Sequence, residues 1–458
     1  MALIRSVSGI RGTIGGFCSE NLTPLDIVLY SSAFAELLKI KTGVSKPKVV
    51  LGRDARISGQ MLTQLVTGTL LGMGVDVIDL GLATTPTVEI AVPLENAQGG
   101  MILTASHNPM EWNALKLLND KGEFISATWG EELLALAQKQ DFQYSTVQDL
   151  GMCVQKDYLQ KHVALILALD FVQKDLIQSK RYKIVVDAVN SVGAIYVPAL
   201  LEAFGAEVIL INGEPNGIFA HNPEPLPEHL GEIMQAVRTH KADLGIVIDP
   251  DVDRLALVCE DGSFFGEEYT LVAVADYLLS KQKSDVVSNL SSSRALADIA
   301  HKHGVVYHAS AVGEVHVVAK MKEVGAKIGG EGNGGIIYPA AHYGRDALVG
   351  IALFLSHLAE QNKTAKALRA DYPDYFMAKE KITLQKVDEV LQKVQAHYAH
   401  EKINTTDGVR IDFEAKKSWV HLRKSNTEPI VRIYAESTSA ELAQALAEDM
   451  KQVIAKFA

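Results

Sequence analysis

Three cysteines, Cys18, Cys153 and Cys259, are all that 458 residues contain, and no two of them form a Cys-x-x-Cys pair. So few thiols leave no disulfide framework and no zinc cage to hold the chain together, and they fit a reducing compartment. No apolar run approaches the roughly 20 residues that a membrane span requires. The opening stretch MALIRSVSGIRG lacks the apolar centre of a secretory signal, so a cytoplasmic location is expected. Basic residues are outnumbered, 44 against 55, for a formal net charge of -11. That balance argues against a general nucleic-acid or anionic-membrane partner. An anionic small molecule remains open to such a chain, provided basic side chains gather at its site.

What is present is ordinary soluble material: 48% hydrophobic and 22% charged residues, enough to build large cores without staples. The length is too great for a single core and indicates two to four domains. One pattern occurs three times: an apolar strand, a polar loop, an amphipathic helix, a glycine, and a second apolar strand. It appears as KVVLGRDARISGQMLTQLVTGTLLGMGVDVIDLG, as KIVVDAVNSVGAIYVPALLEAFGAEVILING and, less regularly, as DVVSNLSSSRALADIAHKHGVVYHAS. β-rich runs alternating with helical period indicate βαβ units. Their spacing, on the order of a hundred residues, is domain-sized rather than that of a solenoid repeat. The fold class is therefore α/β, with three tandem similar α/β domains of mixed, largely parallel sheets. After the polar stretch AEQNKTAKALRADYPDYF come KITLQ, DGVRIDF, SWVHLRKS, VRIYAES and a closing helix from about Ser439, the pattern of a smaller α+β domain. Boundaries are placed at 1–150, 151–255, 256–365 and 366–458.

Four loops carry chemistry. In ILTASHNP, Ser106 and His107 follow the buried strand GGMIL, at the strand end where open α/β sheets place ligands. Such a serine suits a nucleophile or a phosphoryl carrier, although the same four residues also describe a hydrogen-bonded turn. Lys116, a few residues on, supplies a charge suited to phosphate. The second loop, LGIVIDPDVDRLALV, sets Asp249, Asp251 and Asp253 at alternate positions between apolar runs, followed by Arg254. Three carboxylates this close repel one another unless a cation lies between them, and oxygen ligands select Mg²⁺ or Ca²⁺. In the third, KIGGEGNGGIIYP, five glycines surround Glu331 and Asn333, which could hydrogen-bond sugar hydroxyls. The fourth, RKSNTEPIVRIYAES, offers Arg423, Ser425, Asn426, Thr427 and Arg432 as an anion nest.

Taken in order, these loops resemble the α-D-phosphohexomutase superfamily, from GIRG at 9–12 to the loop ending at Arg432, and GRDARISG at 52–59 is also similar to it. The resemblance implies four domains around a central cleft and an intramolecular phosphotransferase. It places a phosphoserine at Ser106 and one Mg²⁺ on Asp249, Asp251, Asp253 and a phosphoserine oxygen. It puts phosphate contacts at Arg11 and Lys116, sugar recognition at Glu331 and Asn333, and substrate phosphate on Arg423, Ser425, Asn426, Thr427 and Arg432. His107 is expected among the catalytic residues and Arg254 among those that bind substrate. The implied reaction interconverts hexose 6-phosphate and 1-phosphate, with a hexose 1,6-bisphosphate as primer. Glucosamine phosphate is the leading substrate and mannose or glucose phosphate the alternative, in a monomer or homodimer. Three positions depart from the family pattern. Ser8 stands where many members have Asp, Asn333 where the sugar loop often has Ser, and Gly335 where it often has His. The last leaves the proton-transfer residue open. Two rivals from other classes are an aspartyl-phosphate phosphatase, for which Asp253 is the wrong residue at the end of its motif, and a non-catalytic sugar-phosphate sensor.

Overall fold

The computed structural model describes residues 3–6, 9–18, 20–424 and 430–458. The chain forms two compact units, Met1–Glu267 with Gly335–Lys366, and Glu268–Gly334 with Ala367–Ala458.

The first unit holds two sheets. In the larger, Lys48–Arg53 runs parallel to both Asp76–Leu82 and Gly99–Leu103, and Trp112–Leu118 returns antiparallel to Gly99–Leu103 with Lys116 opposite Ile102. Gly99–Leu103 is buried along its whole length, as expected of a strand covered on both faces. In the smaller sheet, Leu244–Ile248 lies parallel to Lys183–Asp187 and pairs antiparallel with Leu255–Cys259. Helix Ala347–Gln361 also belongs to this unit. It is almost entirely buried, and its first turn is capped by Asp346, whose carboxylate accepts the amides of Leu348 (2.8 Å) and Val349 (3.2 Å).

The second unit combines the parallel strands Val286–Asn289, Tyr307–Ser310 and Ile328–Glu331 with a five-stranded antiparallel C-terminal sheet. Helices Val387–His397 and Ala440–Phe457 share one core with that sheet, through Val390, Val394, Ala447 and Ile454 against Ile411, Leu422 and Ile433. Ser439 caps the last helix, accepting from the Leu442 amide.

All three repeats have the expected βαβ form. Gly74, Gly205 and Gly304, just past the repeat helices, have φ of +75°, +67° and +68°, the left-handed geometry that ends a helix.

Candidate active site

Ser106 sits directly beyond strand Gly99–Leu103 with φ +49°, left-handed backbone that a serine adopts only when its surroundings impose it. Thr104 starts the restraint: its hydroxyl accepts the Ser106 amide (2.9 Å) and donates to Asp54 (2.6 Å). Asp54 and Arg56 come from the loop after the neighbouring strand Lys48–Arg53. The Arg56 side chain is fully buried, and its Nε donates to Asp54 at 3.0 Å. Its other donors reach the serine loop. Nη1 bonds the carbonyls of Pro109 (2.6 Å) and Trp112 (2.9 Å), and Nη2 those of Ser106 (2.5 Å) and Asn108 (2.6 Å). Burial pushes the Asp54 carboxyl up, and Arg56 and Thr104 oppose that shift.

The hairpin Leu244–Ile248/Leu255–Cys259 carries the acidic loop at its turn. Asp249 Oδ1 accepts the amides of Asp253 (3.1 Å) and Arg254 (3.2 Å), and Val252 takes φ +63°. This curl converges Asp249, Asp251 and Asp253. All three are fully buried, with one oxygen of each within 4.8 Å of the others. Asp251 Oδ1 is buried with no hydrogen-bond partner among the described residues. An acceptor-only cluster of this kind fits a hard divalent cation.

Three cationic side chains face the cluster. Lys116 Nζ is 2.7 Å from Asp251 and 3.7 Å from Asp253, Arg345 Nη2 is 2.6 Å from Asp253, and Arg254 Nε is 3.8 Å from Asp253. Thr85 braces the loop twice: its amide donates to the Asp251 carbonyl (2.9 Å) and its hydroxyl to the Asp251 carboxylate (2.5 Å). Burial and the neighbouring Asp253 and Asp251 drive Asp249 well above the usual carboxylate range. Burial also pulls Asp251 upward, but Lys116 and Thr85 outweigh it and hold that carboxyl below its ordinary value. The Lys116 ammonium is held above its ordinary value by Asp251 and Asp253, against the effect of burial.

The two loops meet at Ser106, whose hydroxyl donates to Asp249 Oδ2 at 2.7 Å. His107 Nδ1 is 3.4 Å from the same hydroxyl. Burial together with Arg254, Arg345 and Lys116 pushes the imidazole down to about 2, so it is neutral. Six of the sequence-derived residues, Ser106, Lys116, Asp249, Asp251, Asp253 and Arg254, thus form one constellation with His107 at its edge. Arg11 lies on strand Gly9–Thr13, opposite Ala114 of the strand that carries Lys116.

The remaining candidates belong to the second unit. Glu331 ends strand Ile328–Glu331, and its Oε1 accepts from Asn289 (2.9 Å) and the Gly313 amide (3.0 Å). Asn333 follows in the glycine-rich turn. Arg423 and Arg432 are directly opposite each other on adjacent antiparallel strands. Asp407, 2.8 Å from Arg423, offsets part of that like-charge contact. Ser425, Asn426 and Thr427, like Ser8, lie outside the described residues.

Arg56, Thr85 and Arg345 were not singled out from the sequence. For Arg345 one signal was available: the tetrapeptide Gly-Arg-Asp-Ala occurs twice, at 52–55 and 344–347, each time beside the site.

The serine hydroxyl is thus bonded to one carboxylate of a buried triad, and three cationic side chains pack against the other two. Four domain descriptions of one family match the chain in order: phosphoglucomutase/phosphomannomutase α/β/α domain I at residues 3–144, domain II at 156–262, domain III at 266–375 and the C-terminal domain at 377–453. A phosphoglucomutase/phosphomannomutase of Thermococcus kodakarensis is 35% identical, over 94% of this chain and 95% of its own. A probable phosphoglucosamine mutase of Methanopyrus kandleri is 34% identical over 98% and 96%. A crystal structure of a phosphoglucomutase/phosphomannomutase family protein from Burkholderia thailandensis superposes with a TM-score of 0.86 at 25% identity, covering 99% and 98%. The chain belongs to the phosphoglucomutase/phosphomannomutase family. It is a phosphohexomutase, an isomerase that acts as an intramolecular phosphotransferase.

Proposed function

We propose that the protein interconverts hexose 6-phosphate and hexose 1-phosphate by way of a phosphoserine at Ser106 and a hexose 1,6-bisphosphate. The observation that carries this reading is the 2.7 Å contact of Ser106 Oγ with the triad carboxylate Asp249, beside a buried Lys116.

In the forward half-reaction a sugar hydroxyl oxygen bonds to the phosphorus of phosphoserine 106 as the Oγ–P bond breaks. The proton lost by the sugar hydroxyl is matched by one gained at Ser106 Oγ, which returns to a hydroxyl as the bisphosphate forms. After the sugar reverses in the site, Ser106 Oγ attacks the other phosphoryl group, and the monophosphate isomer leaves. Phosphoryl transfer depends on alignment and charge neutralisation more than on covalent help from the protein. Lys116 and Arg11 neutralise the transferring group, and Arg254 stands beside it. The neutral His107 imidazole, 3.4 Å from Oγ, is placed to hydrogen-bond the serine oxygen during transfer. Asp249, Asp251 and Asp253 hold one Mg²⁺, which when bound supplies further charge neutralisation. Glu331 and Asn333 hydrogen-bond sugar hydroxyls. The phosphate that is not reacting is held by Arg423 and Arg432 with Ser425, Asn426 and Thr427. The juxtaposition of Arg423 and Arg432 across two strands supports that assignment, since an anion between them relieves their repulsion.

Glucosamine phosphate is the substrate we assign, from the Glu-Gly-Asn-Gly-Gly form of the sugar loop. Glucose or mannose phosphate is the second reading, favoured by the Thermococcus kodakarensis relative. Turnover is to be measured in parallel on the 1-phosphates of glucosamine, glucose, mannose and N-acetylglucosamine, with and without bisphosphate primer. Fastest primer-dependent conversion of the glucosamine compound supports the assignment. Fastest conversion of another sugar overturns the substrate, and primer-independent release of inorganic phosphate overturns the mutase reaction.

A further inference from the structure

We propose that Arg56 is a positioning residue for phosphoryl transfer, holding the serine loop in the one conformation that accepts a phosphoryl group on Ser106. The inference rests on the mutase reading above and extends it to a residue that touches no substrate.

The geometry is specific. One guanidinium makes five hydrogen bonds: one to Asp54 and four to the carbonyls of Ser106, Asn108, Pro109 and Trp112. All five of its N–H donors can thereby be used, in the planar fork that only arginine offers. The carbonyl is the negative end of each peptide dipole, and Arg56 gathers four of these ends to itself. A phosphoserine carries close to two negative charges, which carbonyl oxygens turned toward it would repel. Arg56 therefore fixes the dipoles of the loop before the charge arrives, which is how an electrostatically preorganised site works. The same grip stabilises the +49° φ of Ser106, which aims Oγ at Asp249.

The clamp is itself enclosed. The Phe219 ring covers the guanidinium, 4.9 Å from its centroid. Beside it Gly217, at φ +75°, passes so close that a Cβ there would lie 2.1 Å from the Ala55 carbonyl oxygen. Asp54, 3.0 Å from Arg56 Nε, offsets the charge of the guanidinium. Lysine at position 56 would keep the charge but offers three donors at a point and cannot reach four carbonyls in a plane.

The test compares Arg56→Lys and Arg56→Ala with the wild type. The first readout needs no substrate: amide hydrogen exchange of residues 104–112 in the intact protein. The clamp predicts that exchange in this segment rises about tenfold or more in Arg56→Lys while the strand interiors keep their protection. The second is transfer from glucose 1,6-bisphosphate to Ser106, followed by intact mass. Misplacing a reacting group by about 1 Å costs on the order of a hundredfold, so transfer and kcat should fall by about that factor with KM nearly unchanged. Free guanidinium ion should restore part of the lost rate in Arg56→Ala. Unchanged exchange in a folded Arg56→Lys overturns the clamp, whatever the enzyme's reaction. Raised exchange with undiminished transfer overturns its role in the reaction. Failure of the wild type to take a phosphoryl group from any hexose bisphosphate counts against the mutase reading, and the exchange result still decides whether Arg56 fixes the loop.

Discussion

Replacing Lys116 by methionine keeps the length and apolar stem of the side chain and removes its charge. In the structure that charge lies 2.7 Å from Asp251 and 3.7 Å from Asp253, both carboxylates fully buried. Removing one partner of a buried ion pair costs about 3–5 kcal/mol, because the remaining charge keeps its desolvation penalty. Arg345 and Arg254 remain beside Asp253, at 2.6 and 3.8 Å. The metal-free variant should therefore melt well below the wild type. A divalent cation offers the same neutralisation, and Lys116 competes with it for Asp251. Mg²⁺ should thus bind more tightly to Lys116→Met, by a factor of about 10 or more, equivalent to about 1.4 kcal/mol. At a concentration near a hundred times the dissociation constant, the ion contributes about 2.7 kcal/mol and recovers much of the loss. The assay is a calorimetric Mg²⁺ titration together with melting in EDTA and in Mg²⁺. Turnover should nevertheless be nearly abolished, since tighter metal binding does not replace a cation on the transferring group. If Mg²⁺ binds both proteins equally and raises both melting temperatures alike, Lys116 and the metal do not share the triad, and the electrostatic account fails.

Ser106→Ala should lose nearly all mutase activity while melting close to the wild type, and intact mass should show a phosphoryl group on active wild-type protein but none on the variant. Asn333→Ala should slow every accepted sugar moderately, by the roughly 0.5–1.5 kcal/mol of one neutral hydrogen bond, and Glu331→Ala should slow all of them severely. Abolition of one sugar with another spared would mean that the loop reads C2. A pH effect follows from His342, which lies 3.2 Å from both Asp346 and Glu89 and, despite its burial, is pushed up from 6.5 to about 10 by these carboxylates. A raised pKa of this kind stabilises fully below pH 6.5 and is lost as pH climbs toward 10. The unfolding free energy of the wild type from urea titration should fall toward that of His342→Gln over this window, by up to about 1.4 kcal/mol per pH unit, and parallel curves would refute the effect.

Periodicity and loop chemistry made the architecture legible, because each repeat states its own strand, helix and glycine stop within 34, 31 and 26 residues respectively. The triad was legible for a similar reason. Asp249, Asp251 and Asp253 are adjacent in sequence, and between apolar strands their repulsion demands a counter-charge. The supporting residues were not, because they act across long sequence separations. Thr85 reaches Asp251 and Arg345 reaches Asp253 only after the chain has folded. Arg56 works through main-chain carbonyls, which leave no trace in side-chain identity. The sugar and phosphate loops remain readings of residue type, supported by Glu331 being fixed at a strand end and by the arginine pair at 423 and 432.

The return of Gly335–Lys366 to the first unit sets an order of events during synthesis. Once the first 267 residues have emerged from the ribosome, the serine loop, Lys116 and the whole acidic hairpin are free, but Arg345 is not. Until position 345 emerges, Asp253 lacks its 2.6 Å partner, and until helix Ala347–Gln361 follows, the unit lacks one of its buried helices. The nascent chain therefore holds its carboxylates together, if at all, with Lys116, Arg254 and whatever cations the surrounding solution supplies. A divalent cation bound at this cluster would then be a folding partner for the chain, before there is any sugar for it to serve.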